Sequence, residues 1–264
     1  MSDMSDSEAL VLLEHDAYGI QGAVKLTLNR PQAFNALSES MLDAMEHALK
    51  DIGESDARVV VIAGAGRAFC AGHDLKEMRA QPALDYYRDL FARCSRMMLT
   101  VQRIPQPVIA RVHGIATAAG CQLVAMCDLA VASDDARFAV SGVNLGLFCA
   151  TPSVPLSRNV SRKAAFEMLV TGDFIDANTA RERGLVNRVA PLAELDDAVS
   201  ALAASIASKP REAVAAGKRL FYRQLEAGIE GAYALASETM ACNMMDEATL
   251  EGTQAFIEKR APRW

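Results

Sequence analysis

The chain has 264 residues, of which 51% are hydrophobic and 23% are charged, and its formal net charge is −6. This length corresponds to one large domain or two small ones, with enough apolar sequence to bury a core. The acidic balance argues against nucleic acid or an anionic membrane surface as a partner, and the sequence contains no apolar run long enough for a transmembrane helix.

The cysteines and the N-terminal residues provide the sequence evidence on the cellular compartment of the protein. None of the six cysteines forms a C-x-x-C pair, and most have apolar neighbours, which is typical of reduced, buried thiols. The first ten residues, MSDMSDSEAL, resemble neither a signal peptide nor an arginine-rich transit peptide. We therefore predict a cytoplasmic protein without a metal site, in which residues 1–8 are frayed. A processed mitochondrial form would share these sequence features.

Up to Val112 the sequence alternates between strand-like and helix-like patterns. Ser38 is a good N-cap for the helix that follows it, and Pro105 and Pro107 interrupt the pattern before the next strand. The predicted strands are 10–14, 23–28, 59–63 and 108–112, and the predicted helices are 39–51 and, as one or two pieces, 82–102. This alternation indicates an α/β fold.

Helical patterns dominate the second half of the chain. Gly172 is a suitable C-cap, and Asn178 or Thr179 is a suitable N-cap for the next helix. The predicted elements are helices at 162–171, 195–208, 211–225, 228–246 and 247–259, with a short strand at 185–189. We divide the chain accordingly into a core, residues 1–194, and a helical C-terminal region, residues 195–264.

Two stretches place small residues where an apolar strand gives way to a helix. The segment RAFCAGHDLKEM, residues 67–78, follows the strand run VVVIAGAG, and the segment GIATAAGCQLVAMCDLAVAS, residues 114–133, has the same character. Small residues let another molecule approach the backbone, and a helix that begins there points free N–H groups at it. Two such turns can supply the donors of an oxyanion hole. The alternative is a tightly packed crossover without a ligand.

These stretches, together with LNRPQAFNAL near the N-terminus and EGTQAFIEKRAPRW at the end, resemble the enoyl-CoA hydratase/isomerase (crotonase) family over residues 8–264. Within it, GIATAAGCQLVA and NLGLFCATP are similar to the group of enoyl-CoA hydratase domain-containing proteins. The resemblance implies a crotonase-like spiral of ββα units with roughly perpendicular sheets and a helical C-terminal trimerisation region. It also implies a homotrimer or a hexamer of paired trimers.

The resemblance assigns the central chemistry to backbone groups. It implies that the N–H groups of His73 and Ala119 polarise the thioester carbonyl of an acyl-CoA, each contributing about 3 kcal/mol in the transition state. Hydratases of the family use two glutamates, and the matching positions hold Gln122 and Gly142; the position used by one-carboxylate isomerases holds Ala150. Glutamine cannot accept a proton near neutral pH. The His73 side chain is an alternative base, although a space-filling role is the expected one.

A CoA-binding site is the second implication of the resemblance. The expected contacts come from the loop after the first hairpin and from the backbone after the first glycine turn, namely Gln32, Ala33, Phe34, Asp74, Leu75 and Lys76. Lys259, with Arg260 beside it, is a candidate for the CoA phosphates, in the same chain or across a subunit boundary. The alternative for this pair is a solvated, charged helix end. A CoA thioester would be the substrate or ligand, and no other cofactor is expected.

We therefore expect an acyl-CoA-binding protein of this class that lacks both usual glutamates, so that hydratase activity is weak or absent. Asp128, Asp134 and Asp135 lie nearby in sequence, but cap or turn roles suit them better than the role of a replacement base. Two alternatives stay open. One is an active hydratase or isomerase of fatty-acid metabolism with a non-standard base, and the other is a non-catalytic scaffold or regulatory subunit.

Overall fold

A computed structural model describes residues 9–264, so the expected fraying of residues 1–8 lies outside the described part. The strands are β1 (Val11–His15), β2 (Ala23–Leu28), β3 (Val59–Gly64), β4 (Ala68–Cys70), β5 (Val108–Val112), β6 (Ile115–Thr117), β7 (Leu129–Ser133), β8 (Arg137–Ala139), β9 (Ile175–Asp176) and β10 (Arg188–Ala190). The α-helices are α1 (Glu39–Glu54), α2 (Leu75–Ala80), α3 (Leu84–Arg103), α4 (Ala119–Met126), α5 (Ala150–Asn159), α6 (Arg162–Thr171), α7 (Ala177–Glu182), α8 (Leu195–Ala207), α9 (Arg211–Leu225), α10 (Ile229–Asn243) and α11 (Glu247–Ile257).

Six strands form one large sheet in the order β1-β2-β3-β5-β7-β10. β1 and β2 make an antiparallel hairpin, and each further pair in this sheet is parallel. β3 reads VVVIAG and is buried apart from its last residue. A continuous apolar run of this kind is typical of a strand that is covered on both faces.

The other four strands form a smaller sheet in the order β4-β6-β8-β9. β4, β6 and β8 each follow a strand of the large sheet, and each is in turn followed by a helix. The chain thus repeats a ββα unit as β3-β4-α2, β5-β6-α4 and β7-β8-α5, which confirms the predicted α/β alternation. Gly114 makes one of the turns between the sheets possible, because a Cβ atom there would lie 2.4 Å from the carbonyl oxygen of Arg67.

The main core joins both sheets to the helices that pack on them. Leu26 and Ile62 of the large sheet, Phe69 and Phe138 of the small sheet and Met41 of α1 are all fully buried in one cluster. The opposite face of the large sheet packs against α8 in a second, smaller cluster. Both faces of the large sheet are therefore covered.

Several short elements differ from the sequence prediction. The three-residue strands β4, β6 and β8 and the helix α5 were not predicted, because strands this short show little periodicity and α5 contains Pro155. The helix expected after the first glycine turn is α2. The N-cap of α7 is Asp176, whose carboxylate accepts a hydrogen bond from Thr179 N at 2.8 Å. The predicted cap, Asn178 or Thr179, is therefore wrong by two or three positions, because the carboxylate at 176 reaches the free N–H of the first turn.

The strand predicted at 185–189 begins later, at Arg188. Leu185 and Val186 are buried in the core ahead of it. The side-chain oxygen of Asn187 accepts a hydrogen bond from Ala130 N at 2.8 Å and so aligns the chain before it pairs with β7. Other boundaries agree with the prediction to within a few residues, including the αL C-cap of α6 at Gly172.

The C-terminal helices confirm the predicted helical region and differ from the rest of the chain in burial. α10 and α11 bury only Ala232 and Ala255, respectively. No helix in the described range, residues 9–264, has the length and apolar character needed to cross a membrane. The proposed division at 194/195 stays a prediction, and α8, just after it, packs directly on the large sheet.

Candidate active site

The two predicted glycine turns meet in space. Gly72 has φ of +94°, which favours glycine, and a Cβ atom there would lie 2.9 Å from Ala118 Cβ and 3.2 Å from Ala119 N. The turn that ends β4 and the turn that starts α4 can therefore touch only because residue 72 has no side chain. This close approach brings the backbone of His73 and the backbone of Ala119 to one place.

Both predicted donors have N–H groups that the surrounding backbone does not use. His73 forms a parallel bridge with Leu37 in which Leu37 N donates to Gly72 O and Asp74 N donates to Leu37 O. In such a bridge the N–H of His73 itself points away from Leu37. Ala119 is the first residue of α4, so its N–H has no carbonyl partner within the helix. This is the pair of donors that an oxyanion hole requires.

The backbone around Ala119 is strained and tightly packed. Ala118 has φ of +50° and ψ of −119°, a conformation that L-residues rarely adopt and that costs of order 1–3 kcal/mol. A Cβ atom at Gly120 would lie 2.1 Å from the carbonyl oxygen of Cys70. The small residues in this stretch therefore let α4 begin directly against β4, which fixes the direction of the Ala119 N–H group.

A cavity of about 240 Å³ lies at the meeting point of the turns. Its lining includes the predicted site positions His73, Leu75, Ala119 and Gly142, together with Ala150. The remaining lining residues are Ala71, Met78, Phe91, Ala118, Ser141, Leu145, Leu147, Phe148, Cys149, Thr151 and Pro152. Among residues 9–264, no aspartate or glutamate lines this cavity, and its titratable side chains are one imidazole and one thiol.

The His73 imidazole is enclosed by apolar surroundings. Its ring packs edge-on against Phe91 with 5.6 Å between the ring centroids. Both ring nitrogens are buried and have no hydrogen-bond partner among the described residues. Burial lowers the pKa of His73 below its ordinary value near 6.5, so the imidazole is neutral at physiological pH. A neutral imidazole can both donate and accept one hydrogen bond.

Cys149 is the second titratable group of the cavity. Its Sγ atom accepts a hydrogen bond from Gly142 N at 3.3 Å. Burial raises the pKa of Cys149, so the group is a neutral thiol at physiological pH. The cavity therefore has backbone donors for a negative charge but no negatively charged side chain of its own.

Gly142 occupies a position where a glutamate has no room. Its φ is not in the left-handed range, but a Cβ atom there would lie 2.5 Å from Leu147 O and 2.7 Å from Cys149 Sγ. The loop closes back on this residue, because Leu147 N donates to Gly142 O at 3.0 Å. A side chain at position 142 would therefore require the whole loop 142–149 to move.

The two other positions without a carboxylate differ from Gly142 and from each other. Gln122 is buried within α4, is not among the residues that line the cavity, and has an Oε1 atom without a hydrogen-bond partner in the described part of the chain. Ala150 is the first residue of α5 and lines the cavity. Position 150 therefore lines the cavity, whereas position 122 is buried and is not among the lining residues.

The predicted CoA loop is fastened to the first turn. Gln32 and Ala33 lie in a 3-10 turn, and Phe34 follows with φ of +52°. Phe34 O accepts a hydrogen bond from Ala71 N at 3.0 Å, which joins the loop to the turn that follows β4. The fully buried Asn35 side chain donates to the carbonyl oxygens of Ala65, Ala68 and Phe69 at 2.9–3.2 Å and holds the loop in place.

The predicted adenine contacts surround the start of α2. The Asp74 carboxylate caps this helix by accepting from Lys76 N at 3.0 Å and Glu77 N at 3.2 Å, and it also pairs with Arg30 at 2.7 Å. Although partial burial opposes ionisation, these donors lower the pKa of Asp74. The side chain of Leu75 is 54% exposed at the cavity, and Lys76 is exposed.

The C-terminal candidates for the CoA phosphates do not line the cavity of their own chain. Arg260 forms a two-pronged pair with Glu251, at 2.6 and 3.0 Å, and also pairs with Glu258. Its guanidinium group is therefore already used within α11 and the segment that follows. Lys259 has φ of +56° at the end of this helix, and its assignment to CoA stays a prediction.

Asp128 has a structural partner that sequence reasoning missed. Its carboxylate accepts hydrogen bonds from Lys218 Nζ at 2.7 Å, Tyr222 OH at 2.7 Å and Val108 N at 2.6 Å. Lys218 lies in α9, 90 positions along the chain, so local pattern could not reveal the pair. Asp128 thus anchors α9 to the core and is not available as a base.

Known proteins resemble this chain over most of its length. Residues 19–264 match the sequence family described as enoyl-CoA hydratase/isomerase. The enoyl-CoA hydratase domain-containing protein 3 of Rattus norvegicus, whose name places it in mitochondria, is 45% identical over 244 residues, which are 92% of this chain and 81% of that protein. A crystal structure of an enoyl-CoA hydratase from Mycobacterium smegmatis has a TM-score of 0.95 and 64% identity, with 97% and 99% of the two chains covered. The crystal structure of the human domain-containing protein 3 has a TM-score of 0.92 and 42% identity, with 97% and 100% covered.

Proposed function

Because this chain belongs to the enoyl-CoA hydratase/isomerase family and has the crotonase fold, we propose that it binds acyl-CoA thioesters and polarises their carbonyl group with little or no hydration of enoyl-CoAs. The observation that carries the proposal is the composition of the cavity. His73 and Ala119, whose N–H groups the surrounding backbone does not use, both line it, whereas no carboxylate of the described residues does.

The two halves of this proposal rest on different physics. Backbone donors fixed in an apolar cavity stabilise negative charge on the thioester oxygen because they need no reorganisation. Addition of water to a carbon–carbon double bond also needs a group that takes a proton from water and a group that returns one, and each contributes about 10²–10⁴-fold. The neutral Cys149 thiol keeps its own proton and is not a base, and the neutral His73 imidazole is the one nitrogen base among the described lining residues. At most one of the two carboxylate roles therefore has a candidate side chain in the cavity.

Binding can be tested at Gly72 with a matched control at Gly19. Both glycines have positive φ, but a Cβ atom at Gly72 meets Ala118 and Ala119, whereas one at Gly19 meets nothing within 4 Å. We expect Gly72→Ala to weaken butyryl-CoA binding at least about tenfold by displacing the two donors. Gly19→Ala should leave butyryl-CoA binding unchanged. Because both substitutions strain the backbone in the same way, the difference in affinity between the two variants reports the effect on the donors. Calorimetry that detects no butyryl-CoA binding by the unaltered protein at about millimolar concentration would overturn the proposal.

Catalysis is tested separately by crotonyl-CoA hydration. We expect a rate at least about 10⁴-fold below that of a hydratase with two carboxylates. A second candidate function, an active hydratase or isomerase with a non-standard base, is favoured by the His73 imidazole in the cavity wall. Rapid hydration that is lost in His73→Phe but kept in Met78→Leu would establish that second function instead. The location in the cell stays a prediction, and the relatives named as mitochondrial favour an organelle.

A further inference from the structure

Phe148 lies between the cavity and a second depression on the surface. A groove of about 700 Å³ runs between α5 and α6, and Phe148 lines both this groove and the cavity. Its side chain is 46% exposed, so it is not locked in the core. One aromatic ring therefore separates the enclosed space beside the thioester site from an open space outside.

The groove has an apolar wall that the described residues leave uncovered. α6 presents Phe166 and Val170 to it, with 60% and 45% of these side chains exposed, and Leu169 lies beneath them. Arg162 and Lys163 lie at its rim. The remaining charged residue, Glu167, pairs with Arg183 at 2.8 Å.

The loop that carries Phe148 is also apolar where it lines the cavity. Leu145 and Leu147 are 68% and 49% exposed on either side of Gly146, whose φ of +80° turns the chain. The apolar surface is thus continuous from the cavity, over Phe148, to the wall formed by α6. An occupant that is apolar, flexible and attached to the cavity fits this continuity.

We propose that the groove binds the distal part of a long acyl chain whose thioester lies at His73 and Ala119, and that Phe148 sets the chain length at which the groove is reached. The proposal rests on the proposed function, because it places the thioester in the cavity. It names the ligand class as long-chain rather than short-chain acyl-CoA. Each methylene group that leaves water for the groove should tighten binding up to about fourfold.

The test compares the affinities of butyryl-, octanoyl- and dodecanoyl-CoA for the full chain. In the unaltered protein we expect affinity to keep rising from octanoyl- to dodecanoyl-CoA. Val170→Glu places a charge in the groove and should weaken dodecanoyl-CoA at least tenfold while butyryl-CoA is unchanged. Leu192→Glu is the matched control, because Leu192 is a similarly exposed apolar residue, at 50%, that lines neither the cavity nor the groove.

Phe148 itself is tested by the ratio of dodecanoyl- to butyryl-CoA affinity, which cancels any general effect on the site. Phe148→Ala should raise this ratio and Phe148→Trp should lower it, each about fivefold or more. Leu75→Glu examines the opposite wall of the cavity, where a chain could leave instead.

Three results would overturn the inference. The first is equal weakening of all three thioesters by Val170→Glu. The second is that Leu75→Glu changes the dependence of affinity on acyl-chain length whereas Val170→Glu does not. The third is a Val170→Glu variant whose oligomeric state, measured by light scattering, changes while its ratio of dodecanoyl- to butyryl-CoA affinity does not. The groove would then be a contact between subunits. If butyryl-CoA also fails to bind the unaltered protein, the proposed function fails first and this inference falls with it.

Discussion

Helices α1 and α10 have similar lengths, and α10 has the larger share of apolar residues, but α1 is far more deeply buried. α1, with 16 residues, buries Met41, Leu42, Met45, Leu49 and Ile52 against the core. α10, with 15 residues, buries only Ala232 and leaves Ile229, Tyr233 and Met240 about 70% exposed. α1 buries its apolar face within one chain, whereas α10 does not.

The change from one behaviour to the other is stepwise. α8 still covers the large sheet with Leu195, Val199 and Ala203. α9 buries only Lys218, through the ion pair with Asp128. α10 and α11 then present apolar surface to solvent. Exposed apolar patches commonly mark interaction sites, so we predict that the C-terminal helices contact a partner surface.

The largest expected effect is therefore on assembly. We predict a homotrimer or a hexamer of paired trimers, and we predict that Met245→Glu with Phe256→Glu lowers the measured mass to that of the 28.3-kDa chain. These side chains are 75% and 84% exposed, so burying a charge in their place opposes association without disturbing the core. Light scattering at micromolar concentration measures the mass, and Leu84→Glu, an exposed apolar position on α3, is the control. A monomeric unaltered protein would contradict the prediction.

The next effect tests how the two regions are joined. Lys218→Met leaves the Asp128 carboxylate buried without its cation, and we expect the free energy of unfolding to fall by about 3–5 kcal/mol. Urea denaturation measures this change. Lys163→Met, at an exposed position, should change stability by less than about 0.5 kcal/mol. A loss below about 1 kcal/mol for Lys218→Met would mean that α9 is held by other contacts.

The sequence predicts the local features of the fold better than it predicts contacts between distant segments. The strand alternation, the caps at Ser38 and Gly172 and the helical C-terminus follow from local patterns, and local patterns are what the structure confirms. The pairing of Lys218 with Asp128 and the contact of Gly72 with Ala119 depend on distant segments meeting. The motifs did indicate two donor turns, but they could not show that position 142 has no room for a side chain.

That steric limit changes where a base can be added. Gly142→Glu would force its Cβ atom against Leu147 O, whereas Ala150 opens onto the cavity at the N-terminus of α5, where a carboxylate is favoured. We expect Ala150→Glu to raise deuterium exchange at the α-carbon of bound butyryl-CoA at least about 100-fold, because one base and two oxyanion donors suffice to remove that proton. Mass spectrometry measures the exchange.

Ala150→Gln is the control for this change, because it has the same size without basicity. Equal exchange by the two variants would show that the added carboxylate does not face the α-carbon. Adding Gln122→Glu to Ala150→Glu should then contribute little, since position 122 is buried and is not among the residues that line the cavity. The comparison of Ala150→Glu with Ala150→Gln distinguishes a site that lacks only a base from one whose backbone donors are also misplaced relative to the thioester.

The smallest expected effect concerns the one imidazole in the site region that is buried without partners. Because the folded-state pKa of His73 is lowered by burial, the unfolded chain binds more protons than the folded chain as pH falls through about 6.5. The free energy of unfolding should therefore fall over this window, and His73→Phe, which keeps the aromatic contact with Phe91, should make the fall smaller.

His113 also has a pKa lowered by burial, but its Nε2 atom pairs with Gly66 O at 2.8 Å. Urea denaturation at pH 5.5 and 7.5 of His73→Phe, His113→Gln and the unaltered protein separates the two histidines. If His73→Phe leaves the pH dependence unchanged, the imidazole is solvated in solution, and the cavity is then open enough for a ligand to reach both ring nitrogens.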